Sequence, residues 1–213
     1  MDKHVLAFYQ LNFTVQESLL LAHLASVQRA YPYTGAEASI TTAATNCFRV
    51  QITAFFEQEL LPMYLHGCPE AQHVANLLRL VDFGTEAGGA LFDQRGYRLA
   101  NAQKYLNLLL KYLWTQHLIA RPPHCPVDRI LLQKAGMGSA KKWTEMTVVG
   151  DYLAAIDALA SIARADGLSL AEWELREYQR RNPISTTMAS RLMELQEATC
   201  TLGENSADAD PSD

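Results

Sequence analysis

The chain is expected to fold as an all-α protein, and three observations carry that expectation. Apolar residues recur at helical spacing in almost every segment between glycine and proline breaks. Two capping boxes, Thr14-Val-Gln-Glu17 and Ser169-Leu-Ala-Glu172, mark helix starts. The only stretch that reads as a candidate strand is "HVLAFY" near the start. With 213 residues, 49% of them hydrophobic, the chain can bury a large core. The expected organisation is a single helical domain over residues 1–200, or two closely packed helical lobes with a cleft between them. An acidic, small and polar tail, "GENSADADPSD", follows and is expected to be disordered over 201–213.

The elements follow in order. The first helix opens at Thr14 and runs to about Arg29, and Tyr31-Pro32-Tyr33-Thr34-Gly35 breaks it. Residues 36–61 keep a helical apolar pattern and stop before Pro62. Pro69 suits a first helical position, and "PEAQHVANLLRLVDF" ends before Gly84. A glycine-containing stretch, 84–98, leads to a leucine-rich helix over 101–118. A short helix follows Asp128 and ends at Gly136. The segment 147–167 forms the next helix, with Gly167 as its C′ residue. The second capping box opens another, which Asn182-Pro183 stops, and Ser185 caps the last.

The bulk numbers exclude some classes. No run of 18 apolar residues exists, so no membrane span is expected. The beginning lacks a signal-peptide core, and Cys47, Cys68, Cys125 and Cys200 are widely spaced without a CxxC pair. That usage implies reduced thiols in a cytoplasmic protein. His124-Cys125 with His66 and Cys68 lacks the paired spacing of zinc modules, so no metal and no other cofactor is expected.

The net charge is −5, yet the charge is unevenly distributed. Residues 95–142 hold nine basic residues and a single acid, Asp128. A local basic surface attracts phosphates whatever the total charge, because distant fields are screened at ordinary salt. Arg95, Arg98, Arg129, Lys134, Lys141 and Lys142 are the candidate DNA-binding residues. Tyr97, Trp114 and Trp143 are candidates to stack on a base, although aromatics at helical spacing usually pack in the core. Gly136 and Gly138 in "KAGMGSAKKW" offer backbone amides beside the Lys141–Lys142 pair.

Lys104 and Lys111 are seven residues apart and share one face of the leucine-rich helix with Asn107, Leu108 and Thr115. Leu106, Leu109, Leu110 and Leu113 form the other face and are expected to pack. The turn "ARPPHCPVDR" then places Asp128 at the mouth of the next helix. Asp128 is read as an N-cap, and also as a carboxylate held in place for chemistry.

Lys104-x-x-Asn107-Leu-Leu-Leu followed by Pro126-Val127-Asp128-Arg-Ile resembles the helix–hairpin–helix DNA glycosylases, over about 35 of the residues. The resemblance implies an all-α fold, with Asp128 as the catalytic carboxylate and Lys104 as the amine that attacks the sugar C1′ in bifunctional members. Lys111 is the alternative amine. The chain departs from that family in three ways: Gly96 is the one glycine where a glycine-rich hairpin is usual, the Lys104–Asp128 loop is longer, and Arg129 replaces the common Thr-His. The implied function is excision of a damaged or modified base after base flipping, either in host repair or from phage DNA as defence. The implied partner is double-stranded DNA carrying that base, bound by a monomer. The alternatives are a non-catalytic all-α nucleic-acid-binding protein and a helical interaction or scaffold protein.

Overall fold

A computed structural model describes residues 2–33, 42–137, 142–177, 188 and 190–193. It is all-α: the described residues form helices joined by turns, and the only β pairing among them is an isolated bridge between Tyr33 and Phe92. The chain divides into a compact unit over Met1–Leu175 and a second over Arg176–Asp213. In the second unit, Arg176 pairs with Glu177, and Met188 and 190–193 are helical. The tail 201–213, Cys200, Lys141, Gly138, Ser185 and the Asn182-Pro183 stop lie outside the described residues.

In the first unit, α1 spans Lys3–Gln28. It absorbs both "HVLAFY" and the Thr14 capping box. Asp2 is the true cap, accepting from the backbone N–H of His4 at 2.8 Å. Thr14 is therefore internal, and its hydroxyl donates back to the Leu11 and Gln10 carbonyls at 2.9 and 3.2 Å. The Ser/Thr-x-x-Glu signature needs a free helix end, and here the end lies twelve residues earlier.

Helix α2, Thr42–Phe55, widens into a π turn at Phe56–Leu60 and tightens into a 3₁₀ turn at Leu61–Tyr64. Pro62 lacks an N–H and cannot continue the regular ladder, which accounts for a change of winding there. Helix α3, Glu70–Gly88, begins after Pro69 and runs through Gly84 rather than stopping before it. Gly84 is a contact glycine: a Cβ there would lie 2.5 Å from the Tyr97 ring.

Helix α4, Leu99–Thr115, is the axis of the fold. Leu106, Leu109 and Leu110 are fully buried, as expected. The opposite, lysine-bearing side is covered too: Asn107, Leu108 and Lys111 are all buried. The reading of one packed face and one open face is thus corrected, because the proline-rich turn and later helices close over the second side. Helix α1 runs antiparallel to α4 through small buried residues Ser18, Ala22 and Ser26. Gln116 donates to Ser18 at one end, and Asn101 donates to the carbonyls of Ser26 and Ala30 at the other. Helices α5, Arg129–Lys134, and α6, Val149–Ala165, with α7, Leu170–Glu177, as far as Leu175, complete the unit. Gly167 takes φ +71° after α6, and Ser169 and Glu172 form the second capping box.

Candidate functional site

The lysine side of α4 presents four polar side chains, Gln103, Lys104, Asn107 and Lys111, to the segment 122–128 and to helices α6 and α7. Three prolines deprive that segment of N–H donors, and its carbonyls need partners. Two amides on α4 supply them. Gln103 Nε2 donates to the Val127 carbonyl at 2.9 Å, and the Val127 N–H donates back to Gln103 Oε1 at 3.0 Å. Asn107 Nδ2 donates to the Cys125 carbonyl at 3.0 Å. The turn is thereby docked along the helix, and Asp128 emerges at a fixed place.

Asp128 serves two partners with its two oxygens. Oδ1 accepts from the backbone N–H groups of Ile130 and Leu131, at 3.0 and 3.1 Å, which makes Asp128 the N-cap of α5. Oδ2 accepts from Lys104 Nζ at 3.2 Å. The side chain of Lys104 is 13% exposed and that of Asp128 34%, so the pair opens to solvent on the carboxylate side. The Lys104 ammonium also lies 5.8 Å from the centre of the Trp143 ring.

Lys111 points elsewhere. Its ammonium meets Glu174 of α7 at 2.8 Å, with both side chains under a tenth exposed. Of the two candidate amines, Lys104 is therefore the one that reaches Asp128.

Between the lysines lies a neutral hydrogen-bonded cluster. Asn107 donates to Tyr152 Oη at 2.9 Å, so the Tyr152 proton is free to go to His124 Nδ1, 2.8 Å away. That fixes His124 as the Nε2–H tautomer, donating to Glu70 at 3.2 Å. By the same logic Asn76 donates to Tyr64, and Tyr64 donates to His73 Nδ1 at 2.9 Å. The His73 and His124 rings pack edge to face, 4.6 Å apart. Burial, with His124 alongside, pushes His73 down to about 3, and burial lowers His124. Burial likewise drives the Cys125 thiol up, so it is an inert packing group. Among the described residues, no group of three His, Cys, Asp or Glu side chains is arranged to hold a metal ion.

The candidate DNA-facing residues are scattered. Arg98 is buried at the start of α4, where its guanidinium donates to the Ala30, Tyr31 and Thr144 carbonyls. Tyr97 is fully buried against Gly84, Phe48 and Phe92. These two do not face outward, because they hold the N-terminal end of α4 in the core. Trp143 is nearly buried, and Trp114 is partly buried against the core. Arg95 pairs with Asp93, Arg121 with Glu172, and Lys142 with Glu145. Arg129 and Lys134 are exposed on α5, and the Lys134 ammonium stands 5.9 Å from the Trp173 ring. The acids Asp93, Glu145, Glu172 and Glu174 all lie outside residues 95–142, so four of the nine basic residues of the segment are matched by charge from beyond it. Gly136 takes a positive φ just past the end of α5.

Sequence reading missed Gln103, Glu174, Tyr152 and Glu70. One signal was available: a segment with three prolines requires side-chain partners, and Gln103 and Asn107 are amides in an otherwise apolar stretch.

Comparison with protein-family models, with curated proteins and with solved structures finds no match to this chain.

Proposed function

We propose that the protein is a DNA glycosylase of the helix–hairpin–helix type, acting on duplex DNA with a damaged or modified base. The observation that carries this reading is the contact of Lys104 Nζ with Asp128 Oδ2 at 3.2 Å, 24 residues apart in the chain. The two groups that the resemblance pairs as amine and carboxylate are in contact. Asp128 Oδ1 is held by the α5 amides, which leaves Oδ2 for the reacting side.

The chemistry follows from that division. When the C1′–N bond of a flipped nucleotide breaks, the departing base takes the electron pair and then a proton, and positive charge grows on the sugar. Asp128 stabilises that charge. Water then bonds to C1′ and passes its proton to Oδ2, leaving an abasic site. In the lyase variant the Lys104 ammonium first gives a proton to Oδ2, and its nitrogen bonds to C1′ instead. Arg129, Lys134 and Lys142 offer charge for phosphates. The target base is either a lesion in the host genome or a modified base of phage DNA.

The test is a panel of duplexes bearing oxidised, alkylated, deaminated and glucosylated bases, read as alkali-labile strand breaks. Excision that falls by 100-fold or more in Asp128→Asn is expected. Borohydride should trap an adduct with the wild type and none with Lys104→Ala. Full activity in Asp128→Asn refutes the assignment. Excision with no adduct makes the enzyme monofunctional. One observation favours a second reading, a helical interaction protein without a nucleic-acid role: acids from outside the segment pair with four of its nine basic residues. DNA binding that weakens steeply with salt separates the two.

A further inference from the structure

The segment 122–128 is docked by a chain of hydrogen bonds that runs in one direction. Asn107 Nδ2 carries two hydrogens. One goes to the Cys125 carbonyl at 3.0 Å and the other to Tyr152 Oη at 2.9 Å. The Tyr152 hydroxyl donates to His124 Nδ1 at 2.8 Å, and His124 Nε2–H donates to Glu70 at 3.2 Å. Each hydrogen has its acceptor, and the chain closes only while His124 is neutral. His124 belongs to the segment that is docked, and its side chain is 1% exposed. Glu70 at the far end is 61% exposed, so the chain begins at solvent and ends on the backbone of the turn.

A second proton on the His124 ring does not fit this chain. Nδ1 becomes a donor aimed at Tyr152 Oη, and the Tyr152 hydrogen must turn away. It cannot leave, because burial raises this hydroxyl well above its ordinary 10. Among the described residues, the partners of Tyr152 Oη are His124 and Asn107, and Asn107 Nδ2 is itself a donor. Turning the Asn107 amide over would give Tyr152 an acceptor, but would set Oδ1 against the Cys125 carbonyl. Each arrangement leaves a buried donor unmet or takes the Asn107 hydrogen from the turn.

The groups that act on His124 come from each element around it. Glu70 and His73 stand on α3, and Tyr152 and Asp157 on α6. On α4, Asn107 is neutral and the Lys111 ammonium is met by Glu174. Burial dominates and holds His124 below its ordinary 6.5, against the pull of Glu70 and Asp157. His73, held down at about 3, stays neutral well below that point. Undocking the segment returns His124 to water, so proton uptake and undocking favour each other. We infer that His124 is an acid-operated latch on the 122–128 turn: a proton at Nδ1 breaks the chain through Tyr152 and Asn107 and frees the Cys125 carbonyl. The Gln103–Val127 pair is then left to hold the turn alone. The turn opens more often, and Asp128 with it, so the Lys104–Asp128 contact is kept at neutral pH and loosened in acid. The latch does not depend on what Asp128 acts on.

NMR of the full chain from about pH 7.5 down to about pH 4 tests this. The His124 ring titration and amide hydrogen exchange are followed together, with exchange corrected for its intrinsic pH dependence. As His124 charges, protection of the Val127, Ile130 and Leu131 amides should fall about tenfold further than that of Leu109 in α4. In His124→Asn the side-chain oxygen stands close to where Nδ1 stood, accepts from Tyr152 and takes no proton, so the extra loss should vanish. Glu70→Gln, at an exposed position, should leave protection at neutral pH unchanged and move the loss to lower pH. Protection that tracks Leu109 throughout overturns the inference. So does an extra loss that persists in His124→Asn, a midpoint that Glu70→Gln leaves in place, or a His124 ring that stays neutral until the chain unfolds.

Discussion

Lys104 and Lys111 stand on the same face of α4, and each meets a carboxylate from a later element. Lys111 and Glu174 are sealed, both under a tenth exposed. Lys104 and Asp128 are half open, with the carboxylate a third exposed and one of its oxygens already engaged by α5. A sealed pair offers no approach to a substrate and holds α7 against α4. A half-open pair keeps its contact while leaving one edge for a reacting group. Two lysines on one helix face thus differ in how far burial leaves each pair open to an approaching group. The turn that carries Asp128 ends at the solvent, whereas Glu174 sits inside a helix packed on Trp173 and Leu170.

The largest expected effect breaks the sealed pair. Glu174→Ala leaves the Lys111 ammonium buried without its carboxylate and should lower unfolding free energy by about 3–5 kcal/mol in urea denaturation. Lys111→Met combined with Glu174→Leu should recover most of that loss, because two apolar side chains need no charge partner. A loss under 1 kcal/mol for Glu174→Ala would mean the pair is not sealed in solution, and the contrast with Lys104 would fall.

The next effect sharpens the comparison at its midpoint, where the polar face is neutral. His73 is held at about 3 in the folded chain, against an ordinary 6.5. The unfolded chain therefore binds the proton first, so stability is full above about 6.5 and is lost as pH falls toward 3. Between pH 7 and pH 5 this histidine alone should cost about 2 kcal/mol. His23, lowered to about 4, adds to the same slope. Urea midpoints measured across that range should fall, and His73→Gln should flatten the dependence. An unchanged slope would show that the cluster opens to water.

These contrasts explain what could be read from the sequence. The all-α fold was legible because apolar period and breaks act locally. Asp128 was legible as a cap, and its link to Lys104 was legible through the resemblance. The fates of the two lysines were not, since Glu174 lies 63 residues beyond Lys111 and nothing local announces the pairing. A charge count over 95–142 stops just short of Asp93 and Glu145, which pair with Arg95 and Lys142 across its two ends, and it cannot see Glu172 reach Arg121. Thr14 and Gly84 misled differently. Each carries a boundary signature, yet Asp2 caps α1 earlier and Tyr97 needs Gly84 within α3. Tertiary contact overrode both signals.

The smallest effect is the one that separates structure from chemistry at the open pair. Asp128→Ala removes the α5 cap and should cost about 1 kcal/mol. Asp128→Asn retains a cap oxygen and should cost less. Lys104→Met removes an ammonium from a partly solvated pair while keeping most of the apolar stem, so about 0.5 kcal/mol is expected. If these chains keep their fold and lose base excision, Asp128 and Lys104 act on substrate, because stability changes of this size leave nearly all molecules folded. If Lys104→Met instead destabilises as strongly as Glu174→Ala, the two pairs are equivalent struts. The half-open geometry would then carry no chemistry, and the glycosylase assignment would lose the contact on which it rests.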